Sequence, residues 1–216
     1  MDLQDLERLI KGRRSIRQWK KGDVSDELLE KAIELATWAP NGGNYQGWRF
    51  IIAKRREVIE KIGNAVQSVA DKIVSWPEAM SWQEEMKRYP MNASYFKNAA
   101  ACIGVFAAEY QSPLDKVLVA RESFDQEARE ILACRRSATT AVQSAAAAVT
   151  TMLLAFHQMG LGAVWLGAPL MAKKEIEAIL DAPTGFSLIC LVAVGYPAES
   201  PQRDRKPVNQ VLHFIY

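Results

Sequence analysis

The stretch Ser137–Met159 constrains this chain more than any other. Its apolar spacing is helical, and alanine and other small residues occupy nearly every face, so no side of the helix prefers water. Such a helix must be enclosed. In a chain of 216 residues the cover can be the chain's own elements, as around the central helix of a monomer, or a second subunit. A bilayer is the remaining shelter, but Thr139, Thr140, Gln143, Ser144 and His157 interrupt the run and leave it short of a transmembrane span. Met1–Ile10 alternates charge with leucine and lacks the apolar stretch of a signal peptide. A cytoplasmic protein with no membrane partner is expected.

Around that helix the apolar spacing marks out the other elements. Leu3, Leu6, Leu9 and Ile10 predict an amphipathic helix that stops near Gly12. Ser25 precedes a second helix with Leu28, Leu29, Ile33 and Leu35 on its apolar face, ending before Pro40. Asn41–Gly47, with three glycines and two asparagines, has loop composition, and Trp48–Ala53 reads as a strand. Arg55–Lys87 is helical and charged with an interruption at Pro77, and Ala99–Ala108 is a central strand. Ser123–Met159 is one long helix or two consecutive ones, closing near Gly160. Ala163–Leu166 is a short strand, Lys173–Leu180 a helix, and Leu188–Val194 a buried strand ended by Gly195 and Pro197. This order of elements predicts one α+β domain over residues 1–216, a mixed sheet flanked by helices.

Charge and cysteine usage exclude several functions. A net charge of +2 gives nucleic acid or an anionic membrane no general attraction, so any basic site must be local. Cys102, Cys134 and Cys190 are widely spaced and form no CxxC pair, which argues against both a disulfide framework and a zinc site. With only His157 and His213 besides, no metal site is expected.

Three constellations remain. Lys11-Gly12-Arg13-Arg14-Ser15-Ile16-Arg17 gathers guanidinium groups and a hydroxyl where a helix gives way to a loop. Arginine forks match phosphate oxygens in pairs, although a solvated basic loop has the same composition. Arg203-Asp204-Arg205-Lys206 is a second basic cluster, and if the two converge they bind one dianion. Ala39-Pro40-Asn41-Gly42-Gly43-Asn44-Tyr45-Gln46-Gly47-Trp48 presents amides suited to the edge of a heteroaromatic ring, or forms an ordinary Asn/Gly turn. Gly160-Leu161-Gly162-Ala163-Val164-Trp165-Leu166-Gly167 has tryptophan where a dinucleotide fingerprint needs its third glycine, so on its own it reads as a turn before a strand.

Taken together and in this order, Arg13–Arg17, Pro40–Trp48, Gly160–Gly167 and Gly195-Tyr196-Pro197 with Arg203 and Arg205 resemble the pattern of the nitroreductase family of flavoproteins. The resemblance implies a nitroreductase-like fold, a central mixed, mainly antiparallel sheet flanked by helices in an intertwined homodimer, with FMN at the subunit interface. By the same resemblance Arg13, Ser15, Arg203 and Arg205 hold the FMN phosphate, and Arg14 lies on the ribityl side. Arg17 is then the cation beside flavin N1 and O2, where it stabilises the charge that develops as the ring takes hydride. Pro40, Asn41, Gly42 and Asn44 match the loop that reaches FMN from the neighbouring subunit. Leu166 and Gly167 match the segment whose backbone N–H faces flavin N5.

The implied activity is a ping-pong transfer of hydride from NADH or NADPH through flavin N5 to an electron-poor small molecule such as a nitroaromatic or a quinone. No side chain is assigned as a catalytic acid or base, because the cofactor carries the reactive atom. Other branches of the resemblance are dehalogenation, dehydrogenation or flavin fragmentation, and a non-catalytic flavin-binding protein is the alternative from outside enzymology. Two departures stand out: Gly47 occupies a position where the family usually has proline, and Asn41 and Gly42 replace commoner serines. Asn64–Lys97, the region that usually shapes substrate entry, carries no matching motif.

Overall fold

Helices of the fold begin in part where the sequence supplies a capping residue, and the computed structural model describes residues 2–86 and 93–216. Helix α1 (Leu3–Gly12) is opened by Asp2, whose carboxylate accepts the Asp5 N–H at 2.8 Å while Asp5 accepts the Asp2 N–H in return. Helix α2 (Asp26–Ala36) follows Ser25 and buries Leu29, Ala32 and Ala36. Leu35, expected on that face, is exposed, because the buried stripe is completed by the two alanines instead. Strand β1 (Trp48–Ala53) leads into α3 (Arg56–Val74), which stops before Pro77. A 3₁₀ stretch, Pro77–Trp82, and a helical turn, Gln83–Met86, follow. Lys87, the far end of the predicted helical stretch, lies outside the described residues.

Strand β2 (Ala101–Ala107) is followed by α4 (Pro113–Arg121), α5 (Gln126–Ser137) and α6 (Thr140–Gln158). The sequence predicts one helix or two over Ser123–Met159; there are two, divided at Thr139, a β-branched residue held at φ 46° in the left-handed region. Gln126–Gln158 taken as one span has the length and apolarity of a membrane crossing, but that break divides it and the sheet covers much of α6. Strand β3 (Gly162–Leu166), helix α7 (Lys173–Ile179) and strand β4 (Ser187–Gly195) complete the elements that position the site.

The strands lie in the order β1-β2-β4-β3, and each pairing among the described residues is antiparallel, without the parallel pair that a mixed sheet would contain. Successive side chains of a strand point to opposite faces, so the sheet serves two cores. Ala101, Ile103, Val105, Val192 and Val194 face α2 and α6, meeting Leu29, Val149, Met152 and Phe156. Cys102, Phe106, Leu188, Leu191 and Ala193 face α3 and α7, meeting Ile59, Ile62, Val66 and Ile176. Helix α6 is thus enclosed on one side by its own chain, while Val142 and Thr150 on its other side remain exposed.

Helix α1 and the C-terminal tail are among the described segments that stay outside both cores. Helix α1 buries none of its residues, and Leu3 is 78% exposed. The tail from Ser200 onward is exposed almost throughout, with Phe214 at 61% and Ile215 at 92%.

Candidate cofactor-binding site

A pair of glycines fixes the position of the basic segment. Gly162 at the start of β3 and Gly195 at the end of β4 face each other in register. A Cβ on Gly162 would stand 2.8 Å from Ile16 Cγ1, and one on Gly195 would stand 2.9 Å from Trp19 Cδ1. Bare backbone at both positions therefore lets Ile16 and Trp19 lie flat against the end of the sheet, where both are buried. Hydrogen bonds complete the seat: Ile16 N–H donates to the Ala163 carbonyl (3.1 Å), Trp19 Nε1 to the Gly162 carbonyl (2.8 Å) and Lys20 N–H to the Tyr196 carbonyl (2.9 Å). The Gly-x-Gly and Gly-Tyr-Pro motifs act here through packing.

Seated in this way, the segment brings its cations together. Burial, the charge of Arg205 and then that of Arg14 lower the pKa of the half-buried Arg13 guanidinium. His157, in the last turn of α6, is lowered by burial and by Arg13 and Arg14. Among the described residues, no carboxylate forms an ion pair with Arg13, Arg14, Arg203 or Arg205. Arg14 turns back to donate to the Lys11 and Arg13 carbonyls at the end of α1, and its Nε is buried without a hydrogen-bond partner. Like charges crowded into a half-buried corner are unfavourable until an anion joins them. Ser15 is half-buried on the same run, whereas Arg203 is exposed and joins no described contact of the cluster.

Arg17 is held differently. Its backbone N–H and that of Gln18 both donate to the Glu199 carboxylate, the second at 3.1 Å. Its guanidinium reaches the Ser15 carbonyl at 3.5 Å. Burial raises the Tyr95 pKa, and Arg17 offsets part of that rise. The Tyr95 ring stacks on Trp19 with centroids 6.4 Å apart and planes 9° from parallel. Sequence reasoning missed Trp19, Tyr95 and Glu199. A carboxylate soon after Gly195-Tyr196-Pro197 is a weak cue to Glu199, and no spacing links Tyr95 to Arg17.

The amide-rich loop lies elsewhere. Gln46 N–H donates to Asn41 Oδ1 at 2.9 Å, and Gly43, Asn44 and Gln46 all have positive φ. Pro40 and Asn44 are exposed, and Gly42 N–H donates to Ser144 Oγ at 3.4 Å, docking the loop on the first turns of α6. The glycine at 47 has a local reason, since a Cβ there would fall 2.3 Å from Tyr45 Cε1. Ser144 and His157 stand near opposite ends of this helix, about 20 Å apart at ~1.5 Å per residue. Within one chain, then, Pro40–Asn44 does not meet the arginines. Leu166 is buried at the end of β3, and Gly167 is exposed with open space where a Cβ would project. Gly167 stands about 13 Å along the strand from Ala163, the partner of Ile16, at ~3.3 Å per residue.

Comparison with known proteins gives the arrangement a context. The model of the nitroreductase family matches residues 10–196. A Methanothermobacter thermautotrophicus protein provisionally named NADH dehydrogenase/NAD(P)H nitroreductase is 30% identical over 91% of this chain and 80% of its own length. An iodotyrosine deiodinase of Thermotoga neapolitana is 26% identical over 94% of each. Among solved structures, a BluB-like flavoprotein from Clostridium difficile 630 superposes with a TM-score of 0.85 at 29% identity, covering all of both chains. A protein from Desulfovibrio desulfuricans, provisionally named a nitroreductase and solved in complex with FMN, gives 0.67 at 26% identity, covering 100% of this chain and 99% of its own.

Proposed function

The chain belongs to the nitroreductase family and shares its α+β fold, and from that premise we propose that it is an FMN-dependent oxidoreductase using NADH or NADPH. The observation that carries the reading is the half-buried pair Arg13 and Arg14, with the Arg14 Nε buried and unpartnered, Arg205 acting on Arg13, and no carboxylate paired to any of them among the described residues. A phosphate dianion fits that corner, because it would relieve the repulsion that the cations feel and offer acceptors to their N–H groups. The open space at Gly167 also suits a bulky planar group beside the end of β3.

Arg13, Ser15 and Arg205 would hold the phosphate, with Arg14 beside them and Arg203 drawn in from solvent. Arg17 would place its positive charge at the pyrimidine edge of the ring, where reduction deposits negative charge. Leu166 and Gly167 would present a backbone N–H toward flavin N5. When bound, FMN supplies a hydride acceptor and donor at N5, linking NAD(P)H to an electron-poor small molecule such as a nitroaromatic or a quinone. We take the protein to be cytoplasmic, a single domain over residues 1–216, with neither nucleic acid nor membrane as partner.

A homodimer is part of the same proposal. Pro40, Asn41, Gly42 and Asn44 sit too far from the arginines to share a cofactor with them in one chain, but a second copy can bring its loop to the first copy's site. Apolar surface suited to such pairing exists on α1 and the tail.

The visible spectrum of purified protein, followed by anaerobic titration with NADH and then NADPH, tests the reading. Yellow protein that bleaches is expected. Colourless protein that takes up no FMN would overturn it, and bound FMN that neither nicotinamide reduces would favour a non-catalytic flavin protein. Reductive dehalogenation is a second reading, supported by the deiodinase among the relatives. Turnover of nitroarenes and quinones against halogenated phenols separates the two, while a flavin-fragmenting enzyme would consume its own FMN.

A further inference from the structure

Pro40–Asn44 can present its amides to a cofactor only if it keeps one shape, and its own composition favours many. Gly42 and Gly43 bring conformational freedom, and glycine at 47 leaves out the fixed φ that proline would supply there. Asn44 and Gln46 nevertheless hold φ at 52°, in the left-handed region, without being glycine. Such conformations persist only where surrounding structure enforces them. The enforcement has to come from outside the loop.

We infer that Tyr110 is a positioning residue for this loop, its ring seated on Gly43 and braced against Tyr45 so that Asn41 and Asn44 keep the arrangement that meets the flavin of a second copy. The inference rests on the FMN and homodimer reading above. A Cβ on Gly43 would fall 2.4 Å from Tyr110 Oη and 2.7 Å from its Cζ, and one on Gly42 would fall 3.6 Å from its Cδ1. The ring therefore occupies the space that a side chain at 43 would need. Tyr110 also meets Tyr45, with ring centroids 5.3 Å apart and planes tilted by 36°. Tyr45 in turn lies on Gly47, where a Cβ would fall 2.3 Å from its Cε1. Glycines at 43 and 47 are thus bare seats for two tyrosine rings, and a cavity of about 10 Å³ is left between the loop, the rings and the first turns of α6. The contact is close-packed.

Tyr110 is itself held from both sides. Before it, Ala108 N–H donates to the Gly47 carbonyl at 2.8 Å, which ties the end of β2 to the end of the loop. After it, Ser112 caps α4, and Arg135 of α5 donates to Ser112 Oγ at 3.2 Å while pairing with Asp115. The half-buried Tyr110 is therefore a rigid strut between the α4–α5 hairpin and the loop. A loop fixed in its binding shape before the flavin arrives has less ordering to undergo on binding.

Tyr110→Ala, Tyr110→Leu and Tyr110→Phe test the inference, since leucine keeps apolar bulk without a flat ring and phenylalanine keeps the ring. Added FMN and riboflavin are titrated in parallel by flavin fluorescence. Tyr110→Ala should weaken both by about tenfold and leave their ratio unchanged, because the loop addresses the ring and not the phosphate. Tyr110→Leu should weaken both by a smaller factor, and Tyr110→Phe should bind both as wild type does. The second readout is hydrogen exchange of the backbone amides of residues 42–47 without flavin, which should quicken by about tenfold in Tyr110→Ala and keep its wild-type rate in Tyr110→Phe. Unchanged flavin affinity in the alanine and leucine variants, a loss confined to FMN, a loss that phenylalanine does not rescue, or unchanged exchange would overturn the inference. Should Tyr110→Ala fail to fold, Tyr110→Leu decides by the same readouts. If the wild type binds neither flavin, the functional reading fails separately, and the exchange rates still decide whether Tyr110 holds the loop.

Discussion

Arg13–Lys20 and Ser200–Tyr216 both mix cations with large apolar side chains, yet the first is seated on the sheet and the second touches little of its own chain. Apolarity does not explain the contrast, because the tail carries Val211, Leu212, Phe214 and Ile215, all exposed. What differs is the surface on offer. Gly162 and Gly195 open a receptor for Ile16 and Trp19, whereas the tail from Ser200 onward lies exposed almost throughout among the described residues. A segment whose receptor lies in its own chain has its place decided by one sequence. A segment without one stays exposed in a single chain, and α1, amphipathic with nothing buried, belongs to the same class.

The largest test of this contrast removes the tail. A protein ending at Pro207 should keep its two cores but sediment as a monomer where the full chain sediments as a dimer, and an unchanged dimer would break the comparison. Next in size is the seated segment's own charge. Arg13→Ala should weaken FMN by about 2–5 kcal/mol, the cost of truncating one member of a buried charged pair, as read by fluorescence titration. Arg205→Ala should do the same, although its residue lies on the loose segment. A smaller effect sharpens the seat itself. Gly162→Ala forces a methyl against Ile16 and should lower stability by about 1–3 kcal/mol in denaturant unfolding, while Gly167→Ala, facing open space, should change it by less than about 0.5 kcal/mol. Equal costs at the two glycines would deny that packing explains the motif.

Periodic features of the fold could be read from the sequence. Helices and strands with a strong apolar stripe or run, such as Trp48–Ala53 and Leu188–Val194, emerge within a residue or two of their predicted ends. Helix Pro113–Arg121 could not be read that way, since Leu114 and Val117 are exposed and leave no stripe; only Ser112, Pro113 and Asp115 mark its start. Thr139 gave no sign of dividing Ser123–Met159, because nothing local identifies a threonine that tertiary contacts will force into the left-handed region.

In the site, Arg13–Arg17 was visible because its residues are contiguous, and Arg203-Asp204-Arg205-Lys206 was visible as a second basic cluster whose convergence with the first the residues alone left open. Glu199 meets the Arg17 backbone because β4 ends beside the seated segment, which sequence spacing does not encode. The separation of Pro40–Asn44 from the arginines is likewise a property of helix α6, whose length sets it.

The central claim is that the corner formed by Arg13, Arg14 and Arg205 recognises a phosphate. It is tested most directly by titrating cofactor-free protein with FMN and, in parallel, with riboflavin, which lacks only that group. The account predicts that FMN binds at least tenfold more tightly and that rising salt narrows the gap. Equal affinity for the two flavins at every salt concentration would contradict it.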